Sequence, residues 1–376
     1  MTFSEINVAP DLIAALAKQK ITEPTPIQTV AYPVLLEGKD AYLNAETGTG
    51  KTLAYLLPLF CRIDPKLAAT QMMIVVPTHE LALQIQRQCC DLAVNAGRPI
   101  HTLLLIGGTV IDRQIEKLKK KPQIVVGSPG RLRELIQLGK LKAHQIKTLV
   151  IDEADRLLSE EGLPAMRELL HVLPRDRQLV FVSATEQDAC RDVIAGIAPK
   201  LVMLQTAESP MNPNIEHLYL ICEERDKPDV LRSLVHALEP ARAIVFVHRT
   251  ETAEIVASKM AYHHIEVAQL HGAFNKEDRK RAMEDFRSGR AKVMLASDVA
   301  ARGLDIPGIT HVFNLDAPTL SKAYLHRVGR TARAGASGVA ITVLTGAEEH
   351  LPRRYEQDLG IVMRRVRLRE GQLLKA

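Results

Sequence analysis

Twice along this chain of 376 residues, short apolar runs of β-forming residues alternate with helical segments, and that repetition restricts the fold more than any other feature. In the first half, runs at 41–44, 72–76, 103–106, 124–127, 148–151 and 178–182 have the length and content of strands. Helical periods lie between several of them, such as the one that keeps Leu81 and Ile85 on one side after Pro77. Strands apolar on both faces and separated by helices predict a mainly parallel sheet covered by helices. The alternation stops at 205–214, a polar stretch with two prolines and no period, which reads as a linker. It then resumes. A helix at 229–238 carries Val230, Leu231, Leu234, Val235 and Leu238 on its buried side. A strand at 243–247, a helix at 251–262 and strands at 265–269, 293–296, 311–314 and 338–343 follow, then a helix at 347–359 and an arginine-rich stretch at 361–368. The expected class is α/β, with one domain over 1–205, a linker over 206–214 and a second domain over 215–376. The length suffices for two domains and exceeds one small core.

Composition narrows the function classes. Without Trp and with few aromatic residues, a broad stacking platform for bases is not expected. The formal charge is +5, and residues 353–375 hold seven basic and three acidic side chains, so everything before them carries about +1. Net charge alone therefore does not identify a nucleic-acid binder. The cysteines, Cys61, Cys89, Cys90, Cys190 and Cys222, are odd in number and form no CxxC pair. They predict a reducing compartment, with neither a zinc site nor a disulfide frame. The opening MTFSEINVAP lacks a basic and then apolar order, and no apolar run is long enough for a bilayer, so a cytoplasmic location and no membrane partner are expected.

Residues 45–52 (AETGTGKT) follow the first strand and open a helix. They fit the phosphate loop GxxxxGK[ST], except that Ala45 replaces its first glycine. Thr47, Gly48, Thr49 and Gly50 form the turn, whose backbone N–H groups and following helix N-terminus face phosphates. Lys51 reaches the β- and γ-phosphates, and Thr52 offers a hydroxyl to Mg2+. About a hundred residues on, the 148–151 strand delivers Asp152 and Glu153 at its carboxyl end. Asp152 is expected to hold Mg2+, directly or through water, and Glu153 to activate the attacking water. Two adjacent carboxylates call for a nearby cation. In the second half, Arg330 and Arg333 stand three apart and are expected to face one way on a helical turn, as charge stabilisers for a transferring phosphoryl group. Asp305 is a candidate acceptor for a ribose hydroxyl.

With these motifs in order, the chain resembles the DEAD-box RNA helicases, from Phe3 to about Leu359, as a short member of bacterial type. The resemblance implies two RecA-like domains, ATP and Mg2+ as cofactors, and RNA as partner. Residues 24–28 (PTPIQ) are similar to the family's adenine-reading motif, which implies that Gln28 meets adenine and Phe3 stacks on it. Residues 77–82, 107–108 and 128–131 are similar to RNA-contacting loops, implicating Thr78, Gly108, Pro129, Gly130 and Arg131. Arg249, Arg279 and Ser297 are implied along the RNA track of the second domain. Arg330 and Arg333 are implied as fingers to the γ-phosphate, and Asp305 as a ribose contact. Asp155, Ser183, Thr185 and His326 are implied to couple hydrolysis to RNA binding. The pattern differs at Lys20 and Ala332, where the family usually has glycine, at His79 for arginine, and at Lys276 for glutamine.

The resemblance further implies RNA-stimulated ATP hydrolysis coupled to local, non-processive separation of short duplexes. A monomer would contact phosphates and 2′-hydroxyls of single-stranded RNA and short duplexes largely without reading sequence. Ribosome-assembly intermediates are candidate partners by analogy. Two alternatives stay open at this level: an RNA-dependent ATPase that remodels RNA–protein complexes, and a non-catalytic, ATP-gated RNA clamp. A P-loop enzyme acting on a small metabolite is disfavoured, because no separate substrate pocket is legible.

Overall fold

The computed structural model describes every residue except 46–48, 184–187, 206–211, 272–273, 275, 302–305, 307, 333–335, 370–371 and 376. The chain divides into two compact units, Met1–Glu208 and Ser209–Ala376. Residues 206–211 of the expected linker lie outside the described set. No described helix is long and apolar enough to cross a membrane.

The first unit is built on seven strands: β1 (Ala41–Asn44), β2 (Met72–Val75), β3 (Thr102–Leu105), β4 (Ile124–Gly127), β5 (Thr148–Asp152), β6 (Gln178–Ser183) and β7 (Val202–Gln205). Their spatial order is β3-β4-β2-β5-β6-β1-β7, and every pairing is parallel. The apolar runs read as continuous because both faces are covered. Along β2, Met72 and Ile74 enter one core with the helices Pro26–Leu36, Lys51–Arg62 and His79–Ala96, while Met73 and Val75 enter the other with Pro129–Gln137 and Leu163–Val172. β7 escaped the sequence reading. It is the sheet's edge and buries only Leu204, so its pattern is weak.

The second unit holds β8 (Ile215–Ile221), β9 (Ala243–Phe246), β10 (Val267–Leu270), β11 (Val293–Ala296), β12 (His311–Asn314), β13 (Gly338–Leu344), β14 (Met363–Arg369) and β15 (Gln372–Lys375). Their order is β10-β11-β9-β12-β13-β8-β14-β15, parallel throughout except for the antiparallel β14–β15 pair. β8 was also missed, because Glu216, His217 and Tyr219 interrupt its apolar run. The arginine-rich stretch proves to be β14. Met363 and Val366 point into the core, while Val362 is exposed. Arg364 pairs with Glu216 and Arg365 with Glu349, each at 3.4 Å, so two of its arginines face carboxylates on the surface.

His217 makes this unit sensitive to acid. It is buried on β8, sharing a 2.8 Å hydrogen bond with the Tyr324 hydroxyl. Burial pushes its imidazole down to about 4, against about 6.5 in an unfolded chain. The unfolded state therefore takes up the proton first. The histidine's contribution is full above about pH 6.5 and is lost as pH falls through 4, by about 3 kcal/mol. In urea titrations at pH 7 and pH 4, His217→Gln is expected to lose less stability than the wild type. Equal losses would sink this assignment.

Candidate active site

Strand order explains how residues a hundred positions apart meet. β1, β6 and β5 are neighbours and parallel, so their carboxyl ends lie side by side. Asn44 registers with Ser183 and Asp152 with Val182, and the Ala45 N–H donates to the Ser183 carbonyl at 3.2 Å. The phosphate loop thus leaves β1 beside the acidic pair that ends β5. Lys51 is the first residue of the Lys51–Arg62 helix, and its ammonium donates to the Ala45 carbonyl. Thr52 follows it. Asp152 is buried, which pushes its carboxyl above the ordinary range, and the charge of Lys51 is the strongest opposing influence. The Glu153 N–H donates to Asp152 Oδ1 at 2.9 Å and the Tyr55 hydroxyl to Oδ2 at 3.1 Å. Glu153 itself has φ +51°, a left-handed conformation that costs a non-glycine residue about 1–2 kcal/mol. It caps the short Ala154–Leu157 helix, which carries Asp155 in its first turn. Strain of this kind concentrates at functional positions.

Gly50 is required by its surroundings. Its φ is +85°, and an added Cβ would lie 2.4 Å from Gln28 Nε2. Gln28 closes this corner: its Oε1 accepts from the Thr25 N–H at 3.0 Å and its Nε2 donates to the Gly50 carbonyl at 3.1 Å. One N–H and one lone pair of the amide remain for a further partner. Phe3 is placed otherwise than expected. At 1% exposure it is a core residue, so its ring presents no open face to a base in this structure. Apolar burial outweighs exposure for a side chain packed among Leu12, Leu16 and Ile27 in the same core. Thr49 is described, while Thr47 and Gly48 lie outside the described residues, as do Thr185, Asp305 and Arg333.

The other half of the same sheet edge carries the residues implied for RNA. Thr78 follows β2 and caps the His79–Ala96 helix, accepting from the Leu81 N–H at 3.3 Å. Gly108, with φ +72°, follows β3. Pro129 and Gly130 open the Pro129–Gln137 helix after β4, with Pro129 buried and Gly130 exposed. Arg131 is largely engaged within the protein: it donates to Gln114 Oε1 at 3.1 Å and pairs with Glu134 at 3.0 Å. It braces the turn after β3 against the helix by also donating to the Thr109 carbonyl at 3.4 Å.

In the second unit, the carboxyl ends of β9, β10 and β11 surround a cavity of about 360 Å³ lined by Arg249, Thr250, His271 and Ser297 among others. Arg249 caps the Thr250–Tyr262 helix, and Arg279 sits half-buried on Lys276–Ser288. His326 lies in the last turn of the Ser321–Val328 helix. Arg330 falls beyond that helix and is buried, so the shared helical turn expected for Arg330 and Arg333 is not how Arg330 is held. Gly329 and the next residues leave the helix before its spacing can apply.

Comparison with known proteins agrees with this arrangement. The DEAD/DEAH box helicase family matches residues 25–193 and the helicase conserved C-terminal domain matches 226–335. The DEAD-box ATP-dependent RNA helicase CshC of Bacillus cereus is 39% identical over 98% of this chain and 94% of its own length. The probable ATP-dependent RNA helicase YfmL of Bacillus subtilis is 40% identical over 90% and 89%. The chain belongs to the DEAD-box family of ATP-dependent RNA helicases. Among solved structures, Saccharomyces cerevisiae Dbp5 bound to RNA and ADP BeF3 matches with a TM-score of 0.84, 32% identity, and coverage of 97% and 95%. Both units are accordingly RecA-like.

Membership gives the departures a physical meaning. Lys20 and Ala332, where DEAD-box chains usually have glycine, have φ of +62° and +54°. Glycine adopts that region freely, whereas these side chains are strained in it. The sequence reading also passed over Arg327. Its guanidinium is buried, bonds Asp298 through two nitrogens at 2.6 and 2.7 Å, and donates to Asn314 Oδ1 and the Asp316 carbonyl. Its partners lie 11 to 29 positions away in sequence, so no local pattern signals this role. As for Mg2+, the Asp152 carboxylate and Thr52 hydroxyl are hard oxygen donors, the type this ion takes beside phosphates and water. A buried carboxylate whose charged form is disfavoured by burial fits a cation site.

Proposed function

We propose that this chain couples RNA-stimulated hydrolysis of ATP to ADP and phosphate to local, non-processive separation of short RNA duplexes. The observation that carries the reading is the division of one sheet edge. Lys51, Thr52, Asp152 and Glu153 occupy the ends of β1 and β5 around β6, while Thr78, Gly108 and Gly130 follow β2, β3 and β4. A shift in the loops that grip phosphates has a short path to the loops that grip RNA. Lys51 and the helix N-terminus hold the phosphates, and Glu153 takes the proton of the attacking water. Asp152 and Thr52 would hold Mg2+, which neutralises developing charge on the phosphoryl oxygens. Arg330 and Arg333, from the second unit, are assigned to charge on the γ-phosphoryl group, and Asp305 to a ribose hydroxyl. RNA is held mainly through its backbone, by Arg249, Arg279 and Ser297 together with the first unit's loops.

The protein is proposed to act as a monomer in the cytoplasm on RNA of unrestricted sequence, ribosome-assembly intermediates among its substrates. The test measures ATP turnover with and without RNA, beside release of a labelled strand from duplexes of increasing length. Release of about ten base pairs is expected to be efficient and to fall steeply with stability, at a barrier of order 1.4 kcal/mol per added pair by the stacking of DNA. Undiminished yield on long duplexes would overturn the non-processive reading. RNA-stimulated turnover with no strand release would favour displacement of proteins instead.

A further inference from the structure

Tyr55 is a buried polar side chain that the proposed chemistry leaves without a task. Its ring is fully enclosed in the first unit's core, where phenylalanine would fill nearly the same volume. Its hydroxyl is not at rest in apolar surroundings. It donates to Asp152 Oδ2 at 3.1 Å. The Lys51–Arg62 helix makes this possible by aiming Tyr55 at the end of β5, with Thr52 three residues before it in the same helix. The other carboxylate oxygen, Oδ1, accepts from the Glu153 N–H at 2.9 Å. Asp152 is thus gripped at both oxygens by donors from two different elements. Each oxygen keeps a further lone pair for a cation or its waters.

We propose that the Tyr55 hydroxyl is a positioning group for the Mg2+ site, holding the Asp152 carboxylate in one orientation before nucleotide arrives. The inference rests on the assignment of Thr52 and Asp152 to that ion. Outer hydrogen bonds of this kind fix the direction of a ligand oxygen and steady its charge, and their loss commonly weakens metal affinity 10- to 100-fold. A hydroxyl that merely needed a buried acceptor would leave metal affinity unmoved.

The full-length Tyr55→Phe protein tests this, with Asp152→Asn as the comparison. Binding of a fluorescent ADP is measured by anisotropy as Mg2+ is raised, and again in EDTA, with a thermal melt of each protein. The Mg2+ concentration at half effect is expected to rise about tenfold in Tyr55→Phe, with affinity in EDTA unchanged. An unshifted Mg2+ midpoint, whether or not the melting point falls, overturns the proposal and leaves the hydroxyl a packing detail. A wild-type protein whose nucleotide affinity ignores Mg2+ would overturn the ion site as well. The two failures are told apart by whether the wild type and Asp152→Asn differ.

Discussion

Glu153→Gln is expected to lower RNA-stimulated ATP turnover by about 10²- to 10⁴-fold while leaving nucleotide binding nearly intact. Glutamine keeps the size of the side chain and removes its basicity. The backbone that aims it is set by other groups: the N–H is held by Asp152 Oδ1, the carbonyl accepts from Arg156 and Leu157, and φ is +51°. The substitution should therefore change chemistry and not placement. Lys51→Ala should fail differently, by losing the charge that faces the phosphates and with it nucleotide affinity. Steady-state turnover and equilibrium binding of a labelled nucleotide, measured on both variants, separate the two roles. Near-wild-type turnover by Glu153→Gln would remove Glu153 as the base.

Arg327→Leu is expected to destabilise the second unit by about 3 kcal/mol, because it leaves the partners of a buried ion pair uncompensated. Those partners are Asp298, Asn314 Oδ1 and the Asp316 carbonyl, and the guanidinium also lies 4.9 Å from the Phe246 ring centroid. Arg327→Lys should rescue little, since an ammonium cannot reproduce the forked contact with Asp298. Urea unfolding followed by circular dichroism reads the loss, and the double variant with Asp298→Leu should cost less than the sum of the singles. The functional consequence is indirect. Asp298 follows Ser297, and Asp316 Oδ2 accepts from the His248 N–H at 2.6 Å, one residue before Arg249. The arginine therefore holds two loops implied for RNA, and RNA affinity should fall with stability. A loss below about 1 kcal/mol, the scale of an exposed pair, would show that Arg327 is no such hub.

Much of this site was legible because its motifs are contiguous. A loop such as 45–52 carries its turn glycine, its lysine and its hydroxyl within one strand-to-helix junction, so local sequence suffices to read it. Gln28 and Arg131 were legible as positions and not as contacts. Gln28 spans from Thr25 to Gly50, and Arg131 is drawn onto Gln114 and Glu134. Phe3 shows the opposite limit: an aromatic residue near a nucleotide motif serves stacking or packing equally well until its burial is known.

The sequence by itself determined the α/β class, the two alternating halves and the family, because hydrophobic period and motif order are properties of neighbouring residues. It left β7 and β8 unread, since edge exposure and polar interruptions dilute the alternation. Only the tertiary structure decided which distant groups complete the site. The Tyr55 hydroxyl reaches Asp152 across 97 positions and Arg327 reaches Asp298 across 29. Both contacts depend on strand order and on how each helix turns over its sheet. Those are settled by the packing of the whole unit, where burying a hydroxyl or a guanidinium demands a partner from whatever element lies opposite.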